Sequence, residues 1–292
     1  MKIGFVGAGK VGTSFGIYLK QNGFRVYGYN SRTMESAQKA AMITKSVVVH
    51  DIEEIFEKAD VAFITTSDYA IAEVVETIID TNVTLTGKKI AHMSGAHSSS
   101  VLSALKEKGA YIYSIHPLQA FASVEQSVQD LKNTVFSIEG DTEGDNTLEK
   151  ILSKMGNEYF TITAKQKSLY HAAACILSNY LVTLMDYGLS LYEQIGIDKE
   201  KMCTALAPLL KGTLNNVLEL GTEKALTGPI DRGDINTVDM HLQALEQYAP
   251  KEVQLYQILG LKTLKLAAKS KEYPQKKALY KLLKEGVGDD KK

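Results

Sequence analysis

The chain has 292 residues, 45% of them apolar and 23% charged, with a formal net charge of −1. That length allows two domains with separate cores, and the composition is that of an ordinary globular protein. The near-neutral charge leaves no electrostatic footprint for nucleic acid or an anionic membrane, and two cysteines, Cys175 and Cys203, are too few for a disulfide framework or a cysteine metal site.

The first twelve residues, MKIGFVGAGKVG, organise the rest. Lys2 to Val6 is an apolar run of the kind that forms a buried strand, and helical spacing of apolar residues resumes at Ser14 to Leu19. Between them Gly7, Gly9 and Gly12 stand in G-x-G-x-x-G spacing. Gly7 permits the tight turn, Gly9 lets a pyrophosphate approach the backbone, and Gly12 lets helix and strand pack closely. The opening amides, from Ala8, Lys10 and Val11 as well as the glycines, would face the phosphates with the helix dipole behind them. The bland alternative is a structural glycine turn. The strand before and the helix after favour a dinucleotide.

The second strand, Phe24 to Tyr29, ends in Asn30, Ser31 and Arg32. A carboxylate there would bind the ribose hydroxyls of NAD, and none is present. Donors and a guanidinium suit a 2′-phosphate instead, so NADP is the expected cofactor. Ser31 or Thr33 could equally cap the next helix. Helix Met34 to Ala41, strand Ser46 to His50, helix Ile52 to Lys58 and strand Val61 to Thr65 follow. Next come helix Tyr69 to Asp80, strand Lys89 to His92, helix Ser99 to Lys108 and strand Tyr111 to Ser114. A last unit has strand Thr134 to Ile138, helix Asn146 to Lys154 and strand Tyr159 to Ile162. This alternation predicts an α/β fold with a doubly wound, mostly parallel sheet over 1–163.

From 164 to 292 the strand pattern vanishes. Lys165 to Ile195, Lys199 to Leu220, Asn236 to Gln247, Lys251 to Ser270 and Lys276 to Lys284 read as helices, and Gly286 to Lys292 as a polar tail expected to fray. No apolar run is expected to reach membrane-spanning length, and the glycine motif sits where a signal peptide would, so a cytoplasmic location is expected.

Ligands of open parallel sheets lie beyond the carboxyl ends of the strands. That rule selects Thr65, Thr66 and Ser67 for the nicotinamide side, with Ser94 and Gly95 after the fifth strand and SIHPLQAF after the sixth. Thr66 and Ser67 could instead cap the helix from Tyr69. His116, held extended by Pro117, is placed to exchange the proton of a substrate hydroxyl; otherwise it is a half-buried histidine bonded to backbone. His171, Cys175 and Ser178 share a helix face with Asn179 beside them, so His171 and Asn179 could orient a substrate together with Ser94. They could equally be a polar pair at an interface. Cys175 reads as a small buried hydrophobe. In LTGPIDRGD, Arg232 and Asp234 read more simply as a structural pair than as an anion site, and His241 as a satisfied core histidine.

Taken together, the glycine motif, Ser94-Gly95, IHPLQAF, YHAAACILSNYLVTL and ALTGPIDRGD resemble one family. It is the Rossmann-like NADP oxidoreductases of unassigned substrate whose carboxy-terminal half is a helical domain of unknown function. More distantly the chain is similar to pyrroline-5-carboxylate reductase, through the glycine motif, Asn30-Ser31-Arg32 and the Ala207-Pro208-Leu209 helix. His116-Pro117 also resembles the histidine-proline element of prephenate dehydrogenases. Lys167, His171 and Asn179 loosely echo the lysine-then-asparagine helix of hydroxyacid dehydrogenases. The resemblance implies a helical domain like that of 6-phosphogluconate dehydrogenase, used for homodimerisation, and supplies no substrate. The expected activity is NADP-dependent hydride transfer to or from a small polar metabolite with a carbonyl, imine or hydroxyl carbon. A non-catalytic NADP(H) sensor acting through its helical half shares every nucleotide-binding residue.

Overall fold

A computed structural model describes residues 1–270 and 274–285, so the expectation for Gly286 to Lys292 lies outside the described residues. The chain divides into two compact units, Met1–Tyr180 and Leu181–Lys292. The sequence expectation put the division at 163/164, where strands give way to helices.

The first unit runs β1 (Lys2–Val6), α1 (Lys10–Gln21), β2 (Arg25–Asn30), α2 (Met34–Thr44), β3 (Val47–Val48), α3 (Ile52–Lys58), β4 (Val61–Ile64) and α4 (Ile71–Ile79). It continues with β5 (Lys89–His92), α5 (Ser103–Glu107), β6 (Tyr111–Pro117), α6 (Val124–Asp130), β7 (Phe136–Gly140), α7 (Thr147–Met155), β8 (Tyr159–Thr161) and α8 (Lys167–Leu177). The strands form one sheet in the order β3-β2-β1-β4-β5-β6-β7-β8. Every pairing is parallel except β6 with β7. The doubly wound, mostly parallel sheet is therefore present as expected.

Period-two alternation sends successive side chains of each strand into different cores. Phe5 and Phe63 pack with Phe15 and Tyr29 in one, and Val6 and Ile64 with Ile55 and Ile90 in the other. The strand order reverses between β1 and β4, which opens a crevice at their carboxyl ends.

Two differences from the sequence reading bear on the site. β6 runs through His116 to Pro117 rather than stopping at Ser114, because antiparallel β7 pairs with it and sets Ser137 opposite His116. The predicted helix Lys165 to Ile195 breaks at Ser178 (φ −111°, ψ −71°) into α8 and α9 (Asn179–Gln194). Within Ala164–Gln194 an 18-residue window reaches a mean hydropathy of 1.2, enough to cross a membrane by length and composition only, a test that core helices also pass.

Beyond α9, the second unit consists of α10 (Lys199–Ala205), α11 (Ala207–Leu220), α12 (Thr222–Ala225), α13 (Pro229–Arg232), α14 (Ile235–Tyr248), α15 (Val253–Ser270) and α16 (Lys276–Lys284). Its core gathers Ile230, Val238, Leu264, Leu279 and Leu283. Asp234 caps α14 by accepting from the Thr237 amide at 3.1 Å and its hydroxyl at 2.6 Å, so the LTGPIDRGD segment is fixed by a helix cap. His241 is exposed rather than in the core, and its Nδ1 meets the Tyr256 hydroxyl at 2.8 Å.

Candidate functional site

The three glycines of the first turn have different surroundings. Gly7 adopts φ +107°, and a Cβ there would lie 2.7 Å from the Thr65 carbonyl carbon, so only glycine closes this turn. At Gly12 a Cβ would strike Thr65 Oγ1 and lie 2.6 Å from the Gly7 carbonyl oxygen. Gly9 has nothing within 4 Å of where its Cβ would stand, so the backbone is approachable from that side. α1 begins at Lys10 with Gly9 at the N-cap and no side-chain cap. Its first amides are thus left for an anion. Ala8 is buried, Lys10 is exposed, and Thr65 Oγ1 ties the turn by donating to the Gly7 carbonyl at 2.8 Å.

At the end of β2, the Asn30 carbonyl accepts the Gly7 amide at 2.8 Å. The Asn30 side-chain amide donates to the carbonyls of Val49 (3.1 Å) and His50 (3.0 Å), so it is engaged in the scaffold. Ser31 is half-buried and Arg32 exposed. Across the crevice, hydrogen bonds from Ser67 and then Arg32 hold the exposed Tyr69 phenol below its ordinary pKa. Tyr69 therefore joins the ends of β2 and β4, a contact that nothing in the sequence pattern marked. Neither Ser67 nor Thr33 forms a side-chain helix cap.

Beside the turn lies a cavity of ≈ 200 Å³ lined by Val11, Thr65, Thr66, Ser94, His116 and His171, among others. The Thr66 hydroxyl is buried there without a hydrogen-bond partner. Ser94 Oγ accepts the amides of Ala96 and His97, both at 3.1 Å, and so shapes the loop after β5. A larger open hollow of ≈ 870 Å³, bordered by Tyr111 and Gly140, lies off the opposite end of β6. Three of its charged groups are engaged: Lys106 pairs with Asp141, and the Glu139 carboxylate accepts the Ser99 amide (2.6 Å) and hydroxyl (2.9 Å).

His116 and His171 meet edge to face, ring centres 5.7 Å apart at 87°. Both reach over Gly95, where a Cβ would collide with His171 Nδ1 and lie 2.8 Å from His116 Nε2. The missing side chain at Gly95 is the space the two imidazoles occupy. His116 Nδ1 is 2.8 Å from the Tyr170 hydroxyl. Burial, then the charges of Lys167 and His171, push His116 down to about 3, so its ring is neutral at ordinary pH. His171 Nε2 contacts Cys175 Sγ at 3.4 Å, and its Nδ1 is buried with no partner.

Lys167 opens α8 with 1% of its surface exposed, and its Nζ has no hydrogen-bond partner. Burial brings it down to about 8, against the pull of Glu139 and Asp68. The structure does not bring Asn179 to this cavity. The residue lies past the break at Ser178 and is exposed. Tyr170 was missed in the sequence, although Lys167, Tyr170, His171 and Cys175 share one face of α8 by helical spacing.

Residues 1–117 match the model of a Rossmann-like domain. Residues 134–263 match a domain of unknown function, DUF2520, so the chain joins a Rossmann-like domain to a DUF2520 domain. Protein TM1727 from Thermotoga maritima is 26% identical, with a TM-score of 0.73 over 92% of this chain and 100% of that one. A candidate NADP oxidoreductase from Bacteroides fragilis is 24% identical, with a TM-score of 0.70 over 96% of this chain and 98% of that one. A reductive aminase from Aspergillus terreus, solved with NADPH, is 18% identical with a TM-score of 0.63 over 98% and 93%. No protein with a curated description matches the chain.

Proposed function

We propose that the protein is an NADP-dependent oxidoreductase acting on a small polar metabolite at a carbonyl, imine or hydroxyl carbon. The observation that carries this reading is the turn from β1 into α1. It leaves open space at Gly9 and uncapped amides at α1, beside Ser31 and Arg32 and with no carboxylate at the end of β2. A pyrophosphate fits the first feature and a 2′-phosphate the second. The Aspergillus terreus neighbour holds NADPH, which is consistent with this reading.

Gly7, Ala8, Gly9, Lys10, Val11 and Gly12 would hold the pyrophosphate, Ser31 and Arg32 the 2′-phosphate, and Thr65, Thr66 and Ser67 the nicotinamide side. When bound, the dinucleotide supplies or takes up the hydride. The protein's share is to orient the substrate, exclude water and move the proton. His116 and His171 face the substrate cavity, which supports an enzyme over a sensor. A neutral His116 can accept a proton from a substrate hydroxyl in the oxidative direction. The buried amine of Lys167 lies behind it as a second titratable group, and a ≈ 200 Å³ cavity suits a small substrate.

Homodimerisation is part of the proposal. Leu181, Val182, Leu184, Leu209, Leu214 and Leu218 are exposed, and α9, α10 and α11 bury no residue. Apolar helices left in water call for a covering surface, and a second copy of the chain supplies one. The free thiols Cys175 and Cys203 fit the reducing cytoplasm.

The test is calorimetry and thermal melting with NADP+, NADPH and NADH. Binding and a melting shift for the phosphorylated pair are expected, and no response to either would end this reading. Screening NADPH oxidation against keto acids, imines and aldehydes then identifies the substrate class.

A further inference from the structure

Tyr170, which touches His116 without lining the cavity, and the ring nitrogen of His116 that faces it have no task in the reading above. Tyr170 stands on the first turn of α8, three residues after Lys167 and one before His171. Its ring meets the His116 ring edge-on, with centres 5.7 Å apart at 85°. Its hydroxyl is 2.8 Å from Nδ1, so exactly one of the two ring nitrogens is committed to it and Nε2 is left over Gly95 on the cavity side. Lys167 Nζ lies 5.5 Å from the centre of the Tyr170 ring.

We propose that Tyr170 is a positioning and relay residue: its hydroxyl donates to His116 Nδ1, which fixes the hydrogen of the neutral imidazole on Nε2, aimed at the substrate. The inference rests on the reading of the chain as a hydride-transferring oxidoreductase, and gives His116 a defined tautomer within it.

The alternative arrangement, Nδ1–H donating to the phenol, would present a bare Nε2 to the cavity. The surroundings favour the first. His116 is held neutral, so it has one hydrogen to place. Burial raises the Tyr170 phenol, the neighbouring Ser137 hydroxyl acting the other way, so the phenol keeps its hydrogen at ordinary pH and needs an acceptor. Nδ1 is that acceptor.

In the reductive direction, the substrate oxygen or nitrogen that gains electron density as hydride reaches its carbon takes the Nε2 proton. The Nε2–H bond breaks as the new O–H or N–H bond forms. The Tyr170 O–H bond breaks as Nδ1–H forms, so the imidazole ends neutral. The phenolate left behind stands beside the Lys167 ammonium, which stabilises it until a proton returns from water. The oxidative direction runs the same bonds in reverse, so it starts once the Tyr170 proton has left to water and the imidazole hydrogen sits on Nδ1, leaving Nε2 bare to accept the substrate proton. A neutral imidazole that gave up its Nε2 hydrogen by itself would be left as an imidazolate; the proton arriving at Nδ1 from Tyr170 removes that difficulty.

The tautomer measurement needs neither substrate nor coenzyme. The full chain is labelled with 15N-histidine, and nitrogen chemical shifts report which ring nitrogen of His116 carries hydrogen, its signals being identified by their loss in His116→Gln. The wild type is expected to show a neutral ring with hydrogen on Nε2 alone. Tyr170→Phe is expected to lose that single tautomer while its NADPH affinity stays that of the wild type. Hydrogen on Nδ1 in the wild type overturns the proposal, and this measurement stands even if Tyr170→Phe does not fold. An unchanged tautomer in folded Tyr170→Phe overturns it as well. Failure of the wild type to bind NADPH would instead remove the oxidoreductase reading and leave the tautomer result intact.

Discussion

Arg32 and Lys167 carry opposite kinds of information about the site. Arg32 is exposed and costs little to keep, so its value lies in what it can bind. Losing one charge-assisted contact to a 2′-phosphate costs about 2 kcal/mol, roughly thirtyfold in affinity. Arg32→Ala should therefore weaken NADPH by that order while leaving NADH nearly unchanged, as calorimetry would show; equal losses would refute the 2′-phosphate assignment. Lys167 is buried with its amine unpartnered, which is costly to the fold. Its pKa falls from 10.5 to about 8. Below pH 8 both folded and unfolded states are protonated and the folded state bears the full cost of burying the charge. Between pH 8 and 10.5 the unfolded state binds the extra proton, so stability rises with pH across that window. Lys167→Met should be more stable than the wild type at pH 7, by on the order of 3 kcal/mol, with the gap closing toward pH 10.5. Denaturant melts at several pH values measure this, and a wild type as stable as Lys167→Met at pH 7 would contradict the burial seen here.

The β1–α1 turn separates two uses of one amino acid. Gly12 is held against Thr65 and Gly7, whereas Gly9 faces open space. Gly12→Ala should lower stability by roughly 1–3 kcal/mol through overpacking, visible as a drop in melting temperature without ligand. Gly9→Ala should leave that temperature unchanged and weaken NADPH binding, because the added methyl stands where the pyrophosphate approaches. A Gly9→Ala protein that binds NADPH like the wild type would move the phosphates elsewhere. At α8 the relevant fact is that one helix face delivers Lys167, Tyr170, His171 and Cys175 together, and that the break at Ser178 ends that face before Asn179.

Four consecutive helices, α9 to α12, bury no residue, and they set the behaviour of the whole molecule. Apolar side chains on that scale do not stay in water. Light scattering on the purified chain should give twice the monomer mass. Val182→Asp combined with Leu218→Asp should return it to the monomer, and a wild type that is monomeric at micromolar concentration would contradict the dimer. The first unit should keep its NADPH response in that variant, since the glycine turn, Ser31 and Arg32 all lie within Met1–Tyr180.

The sheet was legible because each of its signals is local. A buried strand, a G-x-G-x-x-G turn and a helix are short-range patterns, and their alternation constrains a doubly wound fold through general rules of handedness. The missing carboxylate after β2 was equally legible, since it is a matter of residue identity at one strand end. What local patterns do not carry is which side chains meet across elements. The local pattern ends β6 at Ser114, whereas its last residues are held by antiparallel β7, a partner its own pattern does not show. Tyr170 and Tyr69 went unnoticed because tyrosine on a helix or in a loop has no distinguishing pattern until it is seen against His116 or Arg32. The meeting of two imidazoles over Gly95, the isolation of the Lys167 amine and the exclusion of Asn179 are all facts of packing. Sequence periodicity sets the face on which a residue stands; only tertiary structure sets what that face touches, and contact and burial are what give these ionisable groups their chemistry.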